Sequence, residues 1–174
     1  LKQFLIDMLY YGAAAQNYTK YNTDNLANDG IIGLGTPSTA TPTETNSVFN
    51  LSATTGDAGF RSATVWFDVT NRLVVKVSKK TEDTAVKVYV TPFGGTRTEL
   101  SYNDTVGGYM TDEIKVTGFN TSYNFELCDG EGNVIQTLTY SVNSYAYSKQ
   151  NSTNPNMVEL ALALFRLGQS AENL

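Results

Sequence analysis

The chain has 174 residues, 41% of them hydrophobic, and a net charge of −5. This length and apolar content predict a folded domain with its own core and exclude a disordered chain. Only 12 Lys and Arg residues are present, which argues against a nucleic-acid partner. No apolar run is long enough to insert into a membrane.

The absence of histidine and the scarcity of cysteine exclude several chemistries. Without histidine the chain cannot form a Ser-His-Asp triad, a histidine general base or a histidine-ligated metal site. Its single cysteine, Cys128, can form neither an intramolecular disulfide nor a thiolate metal cage, and we interpret it as a small strand residue. We therefore expect no catalytic residue, no metal site and no cofactor, and the chain is not expected to be an enzyme.

Residues 1–18 and 157–174 predict two related amphipathic helices. Aligning Gly12 with Gly168 also matches two further pairs, Ala15 with Ala171 and Asn17 with Asn173. The apolar positions share one spacing, at Leu1, Phe4, Leu5, Met8 and Leu9 and at Met157, Leu160, Ala161, Leu164 and Phe165. A glycine inside a helix costs about 1 kcal/mol relative to alanine. The glycines therefore predict that the two small-residue faces pack against each other or against one sheet; the alternative is that each glycine frays a helix end.

Residues 19–46 predict a loop or connector. Turn-forming residues dominate the first half of this segment, and the second half contains five threonines and two prolines. Asn22, Asp24 and Asp29 could offer oxygen atoms to calcium, but their spacing is not that of a calcium-binding loop. A solvated loop is the preferred interpretation.

Residues 47–142 predict a β domain of seven or eight short strands, because apolar and polar residues alternate between turn signals. Residues 143–174 predict a helical segment that docks with the first helix, its last helix starting at Asn154 and Pro155. The expected fold is mainly β: an immunoglobulin-like or fibronectin-like antiparallel sandwich with both terminal helices packed together on one face. The apolar strand positions are Ala63, Val65, Phe67, Val69, Leu73, Val75, Val77, Val86, Val88, Val90, Ile114, Val116, Tyr123, Phe125, Leu127, Leu138, Tyr140 and Val142.

Residues 116–127 resemble the entry to the penultimate strand of a fibronectin type III or immunoglobulin-like domain. There a tyrosine after a tight turn begins a strand of alternating large apolar residues. The resemblance implies that Tyr123 is the corner tyrosine, with its hydroxyl bonded to nearby backbone.

Three patterns suggest enzymes, and each lacks its structural context. The glycines between Gly30 and Gly35 suggest a dinucleotide loop, but Pro37 prevents the helix that should follow. Tyr145 and Lys149 have the spacing of short-chain dehydrogenases, without a βαβ repeat. Two strand carboxylates, Asp68 and Glu126, are candidates for glycoside hydrolysis, but nothing places them in one cleft.

Exposed aromatic residues are the better indication of binding, since sandwich-fold carbohydrate-binding modules use flat rings as sugar platforms. Trp66 and Tyr89, with Tyr102 and Tyr109, could build such a platform. The competing and preferred interpretation is that Trp66 lies under the helices, beside Phe60 and Val74.

Three motifs together resemble a module of long secreted and cell-surface proteins of gut-dwelling Gram-positive bacteria: Leu9-Tyr-Tyr-Gly-Ala-Ala-Ala-Gln16, Tyr21-Asn-Thr-Asp-Asn-Leu-Ala-Asn28 and Tyr140-Ser-Val-Asn-Ser-Tyr-Ala146. In that family the last helix of one module leads into the opening helix of the next, so the resemblance implies two copies of one linker helix. It also implies an extracellular or cell-wall location and a longer parent protein.

The expected function is therefore a non-catalytic structural, adhesion or spacer module. Its partners would be neighbouring modules of the same polypeptide. The alternatives are polysaccharide or host-glycan binding through exposed aromatics and, third, an enzyme of unknown chemistry.

Overall fold

The computed structural model describes residues 1–31, 33, 35–67, 70–78, 85–172 and 174. Several positions used in the sequence predictions lie outside these ranges. They are the strand residues Asp68 and Val69, two residues of the glycine-rich stretch, Ile32 and Leu34, and Asn173.

The described chain folds into three α-helices, nine β-strands and three 3₁₀ turns. The helices are α1 (Lys2–Thr19), α2 (Val142–Lys149) and α3 (Pro155–Ala171), and the 3₁₀ turns are Asp29–Ile31, Glu44–Asn46 and Val116–Gly118. The strands are β1 (Asn50–Leu51), β2 (Gly59–Phe67), β3 (Asn71–Ser78), β4 (Lys87–Pro92), β5 (Thr98–Leu100), β6 (Tyr102–Asn103), β7 (Gly108–Met110), β8 (Tyr123–Cys128) and β9 (Val134–Tyr140). None of these helices is both long enough and apolar enough to cross a membrane.

The strands form two sheets in which every pairing is antiparallel. One sheet has the order β1-β9-β8-β4-β5 and the other β2-β3-β7-β6. Consecutive strands pair as β2-β3, β4-β5, β6-β7 and β8-β9, and the chain changes sheet between successive pairs. The fold is thus a mixture of helices and two antiparallel sheets, and the alternating pattern correctly predicted an antiparallel strand region.

One buried cluster joins both sheets and the helices. Val65, Leu73 and Val75 come from the four-stranded sheet, Val88, Val90, Phe125, Leu127 and Leu138 from the five-stranded sheet, and Leu164 and Leu167 from α3. Gln136 links the sheets at one edge, because its Oε1 accepts from the Phe60 amide at 2.7 Å. Its Nε2 donates to the Ser52 carbonyl at 2.9 Å. Apolar burial and these bonds hold the two sheets together.

The two terminal helices pack against each other in antiparallel directions. Near one end of the pair, Asn156 donates a side-chain hydrogen bond to the Asn17 carbonyl at 3.3 Å. In the middle, Ala14 shares a buried cluster with Leu160 and Ala163. The predicted docking of the helices is therefore confirmed, as are the Asn154 cap and Pro155 at the first helical position of α3.

The helix glycines face different partners from those predicted. A Cβ atom on Gly12 would lie 2.9 Å from the Ala27 Cβ, and one on Gly168 would lie 2.9 Å from the Phe119 Cβ. Both glycines do permit a close approach. The expectation that their faces meet was wrong, because the connector covers one and the turn before β8 covers the other.

Four residues assigned to strands lie elsewhere. Val86 directly precedes β4, which begins at Lys87. Ile114 follows the end of β7 at Met110 and lies in a loop, where its amide donates to the Asn71 carbonyl at 2.8 Å. Val116 begins a 3₁₀ turn, and Val142 is the first residue of α2. Ile114 and Val142 are nevertheless buried. They are apolar because they pack in the core, although neither lies in a strand.

The tyrosine corner implied by the fibronectin resemblance was also wrong. Tyr123 does begin β8, as the resemblance implied. Its hydroxyl, however, makes no hydrogen bond to the backbone of the described residues.

Candidate functional site

A groove of about 560 Å³ lies between α1 and α3. Its other sides are formed by the connector at Pro37 and by the turn that leads into α3. Its lining is mainly apolar, with a few polar groups, as in small-molecule sites. The lining residues are Asp7, Tyr10, Pro37, Ser152, Thr153, Pro155, Val158, Glu159, Leu162, Ala163 and Arg166.

Asp7 is the unusual residue of this groove. It is 1% exposed, and its Oδ1 accepts hydrogen bonds from the Ser38 amide at 2.8 Å and from the Gln3 Nε2 at 3.1 Å. Its Oδ2 is buried and has no hydrogen-bond partner among the described residues. A buried carboxylate oxygen without a donor is costly, so Asp7 is the residue of this groove that a bound partner would stabilise most.

Sequence reasoning missed this site. Asp7 is the only charged residue between Lys2 and Lys20, so a carboxylate in an otherwise apolar helix was the available signal. Which side of the helix it occupies depends on where α3 and the connector pack.

Trp66 lies on β2 opposite Arg72 of β3 and is 36% exposed. The contact between β2 and α2 is made by Phe67, the residue after Trp66. Its ring centroid lies 5.6 Å from that of Tyr145. The preferred interpretation, that Trp66 is covered by the helices, was therefore wrong.

Tyr89 lies in the other sheet, on β4, and a neighbouring side chain covers the face of its ring. The Arg97 guanidinium lies 3.6 Å from the centroid of its ring and also pairs with Glu126. The same guanidinium approaches the Cys128 Sγ at 3.7 Å. Burial raises the pKa of the Cys128 thiol, which lowers its reactivity and fits its role as a strand residue.

Tyr102 and Tyr109 are brought together. They pair between β6 and β7, with ring centroids 5.4 Å apart and ring planes at 80°. Tyr102 is 47% exposed and Tyr109 6%. Both line a depression of about 650 Å³ with two exposed cations, Arg61 and Lys76. The four predicted residues thus do not form one platform, since Tyr89 belongs to a different sheet.

The Tyr145–Lys149 pair does not have dehydrogenase geometry. The Tyr145 hydroxyl donates to the Met157 sulfur at 3.2 Å, and Lys149 Nζ lies 5.9 Å from the ring centroid. Burial raises the pKa of Tyr145 to about 12, whereas a catalytic tyrosine needs a lowered pKa. The residue packs between Phe67 of β2 and Met157 of α3, at the junction of sheet and helix.

The exposed apolar face of α1 is the remaining surface feature. Leu1, Leu5 and Met8 are 80%, 44% and 40% exposed. Their counterparts in the helix alignment include Ala161 and Leu164, both fully buried in α3. Ala161 lies in one cluster with Ala146 of α2. The apolar stripe of α3 is therefore largely buried, whereas that of α1 is buried only in part, because Phe4 packs against the core while Leu1, Leu5 and Met8 are exposed.

Compared with known protein families, characterised proteins and solved structures, the chain shows no match. Within the described ranges, no three His, Cys, Asp or Glu side chains lie close enough together to hold a metal ion.

Proposed function

We propose that the two sheets form an immunoglobulin-like sandwich. The support is their strand order. We letter the seven strands β2, β3, β4, β6, β7, β8 and β9 as A to G. One sheet then has the order A-B-E-D and the other G-F-C, with two added edge strands, β1 beside G and β5 beside C. This is the order of immunoglobulin sandwiches, in which each hairpin is followed by a crossing to the other sheet. The shared core of both sheets supports the same assignment.

On this framework the chain acts as a non-catalytic structural or adhesion module of a longer extracellular or cell-wall-associated protein. The observation that carries this function is the open face of α1, because the matching face of the related helix α3 is covered by α2. In a row of such modules, α1 would occupy the position that α3 has here, and the preceding module would cover Leu5 and Met8. Three exposed apolar side chains at one helix spacing are typical of an interaction surface.

Thiol labelling of a Met8→Cys variant tests this function. In the single chain the new thiol should label readily, while Cys128, which is 0% exposed, should not. In a tandem chain of residues 1–156 followed by a complete second copy, the thiol in the second copy should label at least about tenfold more slowly, because it takes the buried position of Leu164. A Phe93→Cys variant, at a side chain that is 88% exposed, should label equally in both chains. Equal labelling of the Met8→Cys thiol in both chains would contradict the proposal.

A second candidate function is carbohydrate binding at Tyr102 and Tyr109. The specific observation in its favour is that Arg61 and Lys76 line the same depression, although the chain as a whole is acidic. An aromatic ring beside two cations fits a polysaccharide that carries carboxylate or sulfate groups.

Binding to a panel of neutral and acidic polysaccharides tests the second candidate. An acidic polysaccharide should bind, and a Tyr102→Ala variant should lose that binding while a Trp66→Ala variant keeps it. Loss in the Trp66 variant alone would move the site to β2, and the absence of binding across the panel would eliminate this function.

A further inference from the structure

The carboxylate in the α1–α3 groove has only half of its hydrogen-bonding capacity satisfied by the fold. The amide of Ser38 and the side chain of Gln3 both donate to Oδ1 of Asp7. Oδ2 is enclosed without a donor from the part of the chain that the structure describes. Since an ionised oxygen is stabilised by a charged donor more than by a neutral one, the missing partner is best supplied by a cation.

The walls of the groove determine which kind of ligand can carry that cationic group. Val158 and Leu162 are half-buried on one face of α3, and Ala163 beside them is buried. Pro37 and Pro155 form further apolar walls of the groove. A cavity of about 560 Å³ with such walls suits a short aliphatic chain rather than a polar one.

The other charged residues of the groove are Glu159 and Arg166. Arg166 donates from Nε to the Ala40 carbonyl at 3.1 Å, which ties its guanidinium to the connector. Among the described residues it forms no ion pair with Asp7. Two carboxylates and one guanidinium leave the groove with a net negative charge, which favours a cationic ligand over an anionic one.

We propose that this groove binds a primary alkylammonium ion. The ammonium group donates a hydrogen bond to Oδ2 of Asp7, and the aliphatic chain packs against Val158 and Leu162. This site is independent of the proposed structural function, because it lies on the side of α1 that faces α3 and not on the open face of Leu5 and Met8.

Isothermal titration with hexylammonium chloride tests the ligand class. A ligand of this size should bind with a Kd on the order of 1 mM. Hexanol has the same chain without the charge, and hexanoate has the opposite charge; both should bind at least about tenfold more weakly. If hexanol binds as tightly as hexylammonium, or if hexylammonium does not bind at millimolar concentration, the proposal is wrong.

An Asp7→Asn variant tests the role of the carboxylate. Its amide oxygen can still accept from Ser38 and Gln3, and its Nδ2 replaces an oxygen that also had no partner, so the variant should unfold at a urea concentration close to that of the wild type. Its affinity for hexylammonium should fall about tenfold or more. An Asp24→Asn variant makes the same change of charge at an exposed loop position and should bind like the wild type. Unchanged affinity in Asp7→Asn would overturn the proposal, and so would a large loss of its stability, since Asp7 would then be structural.

A Leu162→Trp variant gives an independent test that leaves Asp7 in place. Position 162 is half-buried, so the larger side chain can be accommodated while it fills the groove. Hexylammonium binding should be abolished, and retained binding would exclude this groove as the site.

Discussion

At the scale of single residues, the two helix glycines show how close packing limits substitution. Gly168 faces Phe119, which is 1% exposed, whereas Gly12 faces Ala27 in an exposed loop. A Cβ at 2.9 Å from another carbon atom requires movement of one of them. The loop can yield more easily than a buried phenylalanine, so the two positions should differ in their tolerance of a methyl group.

A Gly168→Ala variant should lose about 1–3 kcal/mol of the free energy of unfolding through overpacking, even though alanine favours helix formation. Gly12→Ala should cost less. Urea denaturation measures both, and Gly30→Ala, where a Cβ would meet nothing within 4 Å, is the control. Equal stability of Gly168→Ala and the wild type would contradict the tight contact with Phe119.

Buried tyrosines at the junction of sheet and helices predict a loss of stability at alkaline pH. Burial raises the pKa of Tyr145 from 10.0 to about 12 and also raises the pKa of Tyr140. A raised folded-state pKa means that the folded state holds the proton more tightly than the unfolded state. The stabilisation is therefore complete below pH 10 and is lost as the pH rises towards about 12.

Alkaline titration followed by circular dichroism and tyrosinate absorbance should show cooperative unfolding in this window. Tyr145→Phe, which removes the titrating hydroxyl, should move the midpoint to higher pH, while Tyr21→Phe at a side chain that is 73% exposed should not. Gradual ionisation of all tyrosines without unfolding would count against this prediction.

At the scale of elements, α1 and α3 have related sequences but different surroundings. α3 lies between α1 and α2, and its apolar residues are buried on both sides. α1 has α3 on one side only, so its residues Leu5 and Met8 remain exposed. Substitutions at aligned positions of the two helices should therefore change the free energy of unfolding by very different amounts.

Met8→Ala and Leu164→Ala make this comparison at aligned positions. The first should change the free energy of unfolding by no more than about 0.5 kcal/mol, because the side chain is 40% exposed. The second should cost about 2–5 kcal/mol, because it leaves a cavity in the core. Urea denaturation of the two variants measures the difference, and similar losses would show that the α1 face is covered in the isolated chain.

At the scale of the whole molecule, the helices complete the core of the two sheets. Phe4 and Tyr11 of α1 and Leu164 and Leu167 of α3 pack with strand residues in one cluster. The Tyr11 hydroxyl also donates to the Asn71 side chain at 3.3 Å, at the start of β3. The strand region is therefore not expected to be an independent folding unit.

Deletion of residues 1–19 should expose this part of the core and the inner face of α3. The shortened chain should aggregate or bind a hydrophobic dye, and its thermal transition should broaden or disappear. Light scattering and calorimetry measure this. A soluble shortened chain with a sharp thermal transition would show that the sheets fold without α1.

The sequence alone determined the elements whose signal is local. Period-two alternation predicted β2, β3, β4, β8 and β9, but it did not predict the short strands β5, β6 and β7. Helix spacing predicted α1 and α3, and Asn154 with Pro155 predicted the start of the last helix. These signals are local because side-chain direction follows from backbone periodicity. The absence of histidine likewise excluded histidine chemistry from composition alone.

Only the tertiary structure decided which apolar faces are covered and where the groove lies. Leu5 and Met8 of α1 have the same spacing as Ala161 and Leu164 of α3, yet the first pair is exposed and the second buried. Asp7 became a buried, half-satisfied carboxylate only because α3 and the connector pack beside it. Burial depends on contacts between residues distant in the chain, such as Asp7 with Ser38 and Ala14 with Leu160, and local periodicity carries no information about them.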